Sequence, residues 1–293
     1  MLLHALRAAL VRLVALKRLW LLYYLPGLIL AALVALPARS IIAAWAGNTL
    51  AAARLGEGFD ATFFIELFAF RGSALTPLLL LLLLLAPLYG LLQLFFSGGA
   101  LKLLGSDHPW RPREFWDACG RYFGRIFRLF LWSLPLLLVL LLLPFLANLV
   151  KRLFWGKDPG DDITLWFSYV KMAGRFVSLM LWSLCFDYAR ILLVARNEKK
   201  SRRLLRPVLR FVWSHFGRLF TLALILAGVS LAGLLLYHLI ARQLGASATT
   251  IVLLVICQQL FMLFRAGMRL LGLGAQVQLY LRLSGSRAEQ AMA

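Results

Sequence analysis

The chain has 293 residues, 62% of them hydrophobic, with 32 Lys and Arg against 12 Asp and Glu, a net charge of +20. A mean hydropathy of +0.84 exceeds that of soluble domains, which are about half apolar. The leucine-rich runs 78–85 and 134–146 fit a bilayer. The basic residues fall between apolar runs, with few aromatic side chains free to stack on bases, which argues against nucleic acid and for membrane topology and anionic lipid.

A span needs roughly 20 apolar residues. Six are predicted at about 19–46, 73–98, 129–150, 165–195, 219–241 and 250–275. The first follows a basic segment ending at Arg18. Its apolar run, Leu19 to Leu36, is long enough to span, so a retained helix is expected rather than a signal peptide cleaved near Ala44-Trp-Ala46. Pro37 and Arg39 predict a kink or an early end. The segment 59–70 is aromatic, acidic and too short to cross, and reads as an interfacial or re-entrant piece.

Lys and Arg number four in 1–18, six in 99–128, eight in 196–218 and four in 265–293, against three, three and one in the alternate connections. This excess of 22 over 7 places both termini in the cytoplasm under the positive-inside rule.

The cytoplasmic connections carry helical periodicity. In 201–217, Leu204, Leu205, Val208, Leu209, Val212 and Phe216 oppose Arg202, Arg203, Arg206 and Arg210. In 112–126, Phe115, Cys119, Tyr122 and Ile126 oppose Arg113, Asp117 and Arg121. In 2–18, Leu3, Leu6, Leu10, Leu13 and Val14 oppose Arg7, Arg12 and Lys17. Each reads as an amphipathic elbow in the inner headgroup layer. Tyr122-Phe-Gly-Arg and His215-Phe-Gly-Arg repeat at an interval of 93, with a looser copy at Ala15–Trp20. Three parallel units follow, near 1–98, 107–197 and 198–293, each an elbow, a turn and two spans. The expected fold class is all-α: a polytopic membrane helical bundle of six transmembrane helices with interfacial elbows, in one integral membrane domain over 1–293.

The fourth span contains Cys185-Phe-Asp-Tyr-Ala-Arg190. From an outer edge near Arg175, Asp187 lies roughly 18 Å deep at the helical rise per residue. From Thr250, Arg265 lies roughly 22 Å deep. A charge at the bilayer centre costs about 2.5–3.5 kcal/mol, so Asp187 is expected to pair with Arg265 or Arg190. That pair either locks two helices or lines a polar site. Gln258 and Gln259 join helices or line a cavity. Ala223, Ala227, Gly228 and Ala232 suit close helix contact, and Gly98-Gly99 gives a flexible or tightly packed end. Trp20, Trp132, Trp155 and Trp166 suit interfacial belts.

Ser97-Gly-Gly-Ala100, Asp187-Tyr-Ala-Arg190, the two Phe-Gly-Arg copies and Gln258-Gln-Leu-Phe261 with Arg265 carry a resemblance. The chain resembles a broad group of bacterial six-span proteins, related in pattern to the membrane domain attached to some glycerophosphodiester phosphodiesterases. The resemblance covers most of the chain and implies the fold and a membrane location. Chemistry in those enzymes belongs to a separate barrel domain not found here, so no reaction is implied.

No catalytic motif is present. The four histidines, His4, His108, His215 and His238, have no ligand-spaced partners. Cys119, Cys185 and Cys257 form no paired motif. Asp158, Asp161 and Asp162 flank a Pro-Gly turn and read as solvated, and Asp107-His108 reads as a loop pair. No metal or cofactor is expected.

The reading is a non-enzymatic component of a bacterial cytoplasmic membrane that engages anionic lipid headgroups or a membrane-protein partner. Its contacts are Arg121, Arg125, Arg202, Arg203, Arg206 and Arg210. The alternative is a permease for a small solute or lipid, with Asp187, Arg190 and Arg265 along its path.

Overall fold

The computed structural model describes residues 2–46, 72–106, 110–156, 160–198, 204–243 and 248–292, with the single residues 62, 65 and 69. Among these are nine α-helices and no strand. They are α1 (Leu2–Ala15), α2 (Lys17–Ala46), α3 (Gly72–Gly105), α4 (Pro112–Leu142), α5 (Leu146–Trp155), α6 (Asp161–Ala195), α7 (Leu205–Ser214), α8 (Phe216–Gln243) and α9 (Ala248–Met292). A short 3-10 turn, Leu143–Phe145, joins α4 to α5. Six helices, α2, α3, α4, α6, α8 and α9, are long and apolar enough to cross a bilayer. The chain is an all-α, multi-pass membrane protein. Segment 59–70 falls almost wholly outside the described residues, as do Asp107, His108 and Asp158.

The first span covers the expected 19–46 and does not end early at Pro37. α2 continues through Pro26 and Pro37 to Ala46. A membrane helix tolerates proline when the carbonyl its missing N–H leaves free finds another donor; at Pro37 that carbonyl belongs to Leu33.

The chain divides into two compact units, one of Met1–Arg12, Ser97–Ile225 and Gly272–Ala293, the other of Leu13–Phe96 and Leu226–Leu271. Their boundaries fall inside helices and do not follow the sequence repeat.

The first unit holds most of the buried core. Phe115, Cys119 and Ile126 of α4 are fully buried, with Tyr122 beside them. They pack on Gly98 and Gly99, where an added Cβ would lie 3.0 Å from Tyr122 Cβ and 2.6 Å from Cys119 Sγ respectively. The glycine pair is therefore a tightly packed end, not a flexible one. On α7, Leu204, Val208, Phe211 and Val212 are buried. Their neighbours include Tyr188 of α6, whose ring centroid is 5.6 Å from that of Phe211, and Tyr280 of α9, at 5.4 Å. Protein therefore covers most of the apolar faces of these two elbows, while Leu209 and Phe216 at the edge of the second remain exposed. α1 differs again. It buries Ala5 and Ala9 and leaves Leu3 and Leu10 exposed. Ala9 approaches the α9 backbone so closely that a Cβ on Gly274 would be 3.3 Å from its methyl.

The elbow-to-span turn exists in two of the three copies. α1 gives way to α2 at Leu16, whose N–H bonds the Leu13 carbonyl and whose carbonyl accepts from Leu19. α7 gives way to α8 at His215, at φ −122° and ψ 18°. α4 runs unbroken from elbow into span. The residue at the equivalent position explains the difference. The Ser214 hydroxyl and the His215 ring both meet the Phe211 carbonyl, at 3.1 Å each, and such side-chain bonds compete with the helical ladder. Tyr122 at the matching position is instead buried against Gly98.

In the second unit the Trp20 indole N–H donates to the Leu263 carbonyl at 3.0 Å. Its ring occupies the space a side chain at Gly267 would need. Trp20 is thus a helix anchor, whereas Trp132, Trp155 and Trp166, expected in the same belts, are exposed. Trp20→Phe is expected to cost about 1 kcal/mol through the lost hydrogen bond, read as a shift in the midpoint of unfolding in mixed SDS micelles. On α8, Ala227, Gly228 and Ala232 face outward. The contact face is rotated to Gly233, against Phe264, and to Tyr237, stacked on Phe261 at 5.0 Å.

Candidate functional site

Asp187 sits on the part of α6 that is most enclosed. Half of that helix's most apolar window is buried, against 6–17% in the other five spanning helices. Arg190, one turn on, forms an ion pair with Asp187 Oδ1, and the two side chains are 8% and 18% exposed. The second carboxylate oxygen accepts from Gln276 Nε2 of α9 at 3.1 Å. The Arg190 guanidinium lies over the Phe186 ring at 4.6 Å. Phe186 stacks on Trp182 at 5.6 Å, and the Trp182 indole donates to the Ser133 carbonyl of α4 at 3.1 Å.

The spacing Trp182, Phe186, Arg190 puts all three on one helical face. The cation is held by a ring quadrupole as well as by its carboxylate. Of the two partners considered for Asp187, the local one, Arg190, makes the bond. Arg265 belongs to the second unit, where it lines a different cavity. Gln276 was not singled out from sequence. Its signal, a polar residue inside the long apolar run of α9, was available.

Two arginines cap helices. Arg12 donates to the Ser106 carbonyl just past the end of α3. Arg125 reaches Asn197 Oδ1 at 2.9 Å, and its Nη1 also points at the carbonyls of Asn197 and Glu198 beyond α6. Asn197 adopts φ 47°, a left-handed end that asparagine tolerates better than most residues. A cation at a helix C-terminus satisfies orphan carbonyls and offsets the negative dipole end. In each case an elbow arginine binds the outgoing span of its own repeat. Arg121 forms an exposed pair with Asp117 at 3.1 Å.

The remaining basic groups converge. A cavity of about 440 Å³ is lined by Arg196, Arg206, Arg210, Phe211, Tyr280 and Ser284, among others. Arg196 is at the C-terminal cap of α6, and Arg206 and Arg210 are one turn apart on α7. The lining contains no carboxylate, and none of the three arginines forms an ion pair among the described residues. Three guanidinium groups around an open concavity suit a phosphate oxyanion, which accepts bidentate hydrogen bonds. Of the expected lipid contacts, the structure brings Arg206 and Arg210 together and adds Arg196. Arg202 and Arg203 lie outside the described residues. No group of His, Cys, Asp and Glu able to hold a metal ion occurs among the described residues.

Compared with family models, with curated proteins and with solved structures, the chain matches none.

Proposed function

We propose that this protein is a non-enzymatic component of a bacterial cytoplasmic membrane that holds an anionic lipid headgroup in its arginine-lined cavity. The carrying observation is the cavity itself: Arg196, Arg206 and Arg210 line it, with no acidic residue among the described residues of its lining. The excess of basic residues on one set of connections supports a cytoplasmic placement of this face and of both termini, on the side where the leaflet carries anionic lipid. Three other elbow arginines are already engaged. Arg12 and Arg125 cap helices and Arg121 is paired. The headgroup therefore meets a defined site rather than a diffuse basic rim.

Native mass spectrometry of protein purified in mild detergent tests this. The wild type is expected to retain phosphatidylglycerol or cardiolipin adducts in preference to phosphatidylethanolamine. Arg206→Gln with Arg210→Gln is expected to reduce that retention about tenfold, the equivalent of roughly 1.4 kcal/mol. Equal retention of all three lipids by both proteins would refute the proposal.

A further inference from the structure

The second unit contains a polar cavity of about 490 Å³ that the arginine-lined site does not explain. Its volume falls within the range of about 300–1,000 Å³ typical of small-molecule sites. Three helices form it, each through one stripe. α2 presents Tyr23, Tyr24, Gly27 and Leu28; α3 presents Tyr89 and Gln93; α9 presents Gln259, Arg265 and Arg269 with their neighbours.

The polar groups are ordered along α9. Gln259 precedes Arg265 and Arg269 by six and ten residues, or about 9 and 15 Å along a helix axis. At the Gln259 level, Tyr24 donates its hydroxyl proton to Gln259 Oε1 at 2.6 Å. Gln93 is 4% exposed, and its Oε1 is buried with no hydrogen-bond partner. Such a buried acceptor is costly unless a donor is supplied. At the other end Arg265 and Arg269 are exposed, form no ion pair among the described residues and have no acidic neighbour in the lining. Leu28, Leu30 and Ala31 complete the wall, and Leu28 is partly open to the surroundings.

We infer that this cavity binds a single-chain phosphoamphiphile. Its phosphate lies between Arg265 and Arg269, a hydroxyl on the chain side donates to Gln93 Oε1, and its acyl chain runs along α2. The order of groups decides the class. The arginines take the anion at one end, the orphaned acceptor takes a hydroxyl further in, and the leucine and alanine side chains take hydrocarbon. A diacyl phospholipid has its inner glycerol oxygens esterified and offers Gln93 no proton. A monoacyl glycerophosphate keeps that hydroxyl free.

The test is binding to the purified full chain in detergent, read as adduct occupancy by native mass spectrometry. Four probes are used: 1-myristoyl-glycerol-3-phosphate, dimyristoyl phosphatidic acid, 1-monomyristoylglycerol and glycerol 3-phosphate. The first is expected to bind about tenfold more tightly than the second and third, the worth of one well-made buried interaction. Glycerol 3-phosphate is expected to show no saturable binding. Gln93→Leu and Gln93→Met should each abolish the preference over the diacyl probe. Arg265→Gln with Arg269→Gln should abolish the preference over the uncharged probe. Arg206→Gln with Arg210→Gln removes the anionic-lipid binding of the arginine-lined cavity, so all these comparisons are also made in that background, where the preference for the first probe over the diacyl one should persist and its loss would overturn the inference. Equal affinity for the three amphiphiles would overturn the inference, as would binding of glycerol 3-phosphate as tight as that of its acyl ester. An unchanged preference in both Gln93 variants, each with a wild-type melting temperature, would also overturn it.

Discussion

Replacing Arg190 with methionine is expected to destabilise the protein by about 3–5 kcal/mol, the usual cost of leaving one member of a buried ion pair without its partner. Asp187 would keep the Gln276 amide, but one hydrogen bond does not neutralise a carboxylate in an apolar span. The double variant Asp187→Leu with Arg190→Met is expected to recover most of that loss, because it removes the desolvation cost together with the attraction. The pair is imperfectly satisfied: Arg190 Nε and Gln276 Oε1 are buried without hydrogen-bond partners. The pair is local to α6, and the link to α9 is the Gln276 hydrogen bond to the Asp187 carboxylate. Unfolding in mixed SDS micelles measures both variants. An Arg190→Met protein within about 1 kcal/mol of wild type would contradict a buried ion pair here, since surface pairs are worth that little.

The second large effect is expected at Gly99. A Cβ there would stand 2.6 Å from Cys119 Sγ and from two carbons of the Phe115 ring, and both residues are fully buried. Neither can swing aside, so Gly99→Ala is expected to cost about 1–3 kcal/mol and Gly99→Leu more. Gly124, in the Phe-Gly-Arg repeat, has open space around it. Gly124→Ala is expected to be neutral or to stabilise by about 0.5–1 kcal/mol through helix propensity. The same unfolding titration compares them. Equal effects at the two positions would mean that α3 and α4 do not pack through this glycine.

The spans were legible because hydropathy and length alone make a bilayer helix, and all six emerge, four with ends within about seven residues, whereas α4 begins at Pro112 rather than 129 and ends at Leu142 rather than 150, and α9 runs on to Met292 rather than 275. Elbow periodicity was also legible: Phe115, Cys119, Tyr122 and Ile126 are buried as the pattern required. What covers those faces was not legible, because amphipathicity reports an apolar stripe without saying whether lipid or protein meets it. On α1 the buried residues are Ala5, Ala9 and Leu13; the small Ala9 side chain permits the close approach to Gly274, and of the expected leucine stripe Leu3 and Leu10 stay exposed. Proline at position 37 suggested an early end, yet α2 runs on to Ala46. For the candidate site, an aspartate and an arginine three residues apart already named the ion pair. The choice of Arg190 over Arg265, the Gln276 bond and the addition of Arg196 to Arg206 and Arg210 depend on tertiary placement. Composition counted the positive charge but could not say that Arg12 and Arg125 are spent on helix ends.

The central claim is that the cavity beside Arg196, Arg206 and Arg210 selects an anionic headgroup. Calorimetric titration of the detergent-solubilised chain with dihexanoyl phosphatidylglycerol, against dihexanoyl phosphatidylcholine, tests it most directly. Saturable binding of the anionic lipid is predicted, weakened about tenfold in Arg206→Gln with Arg210→Gln and weakened by added salt. Indistinguishable binding of the two lipids, or an unchanged isotherm in the double variant, would contradict it.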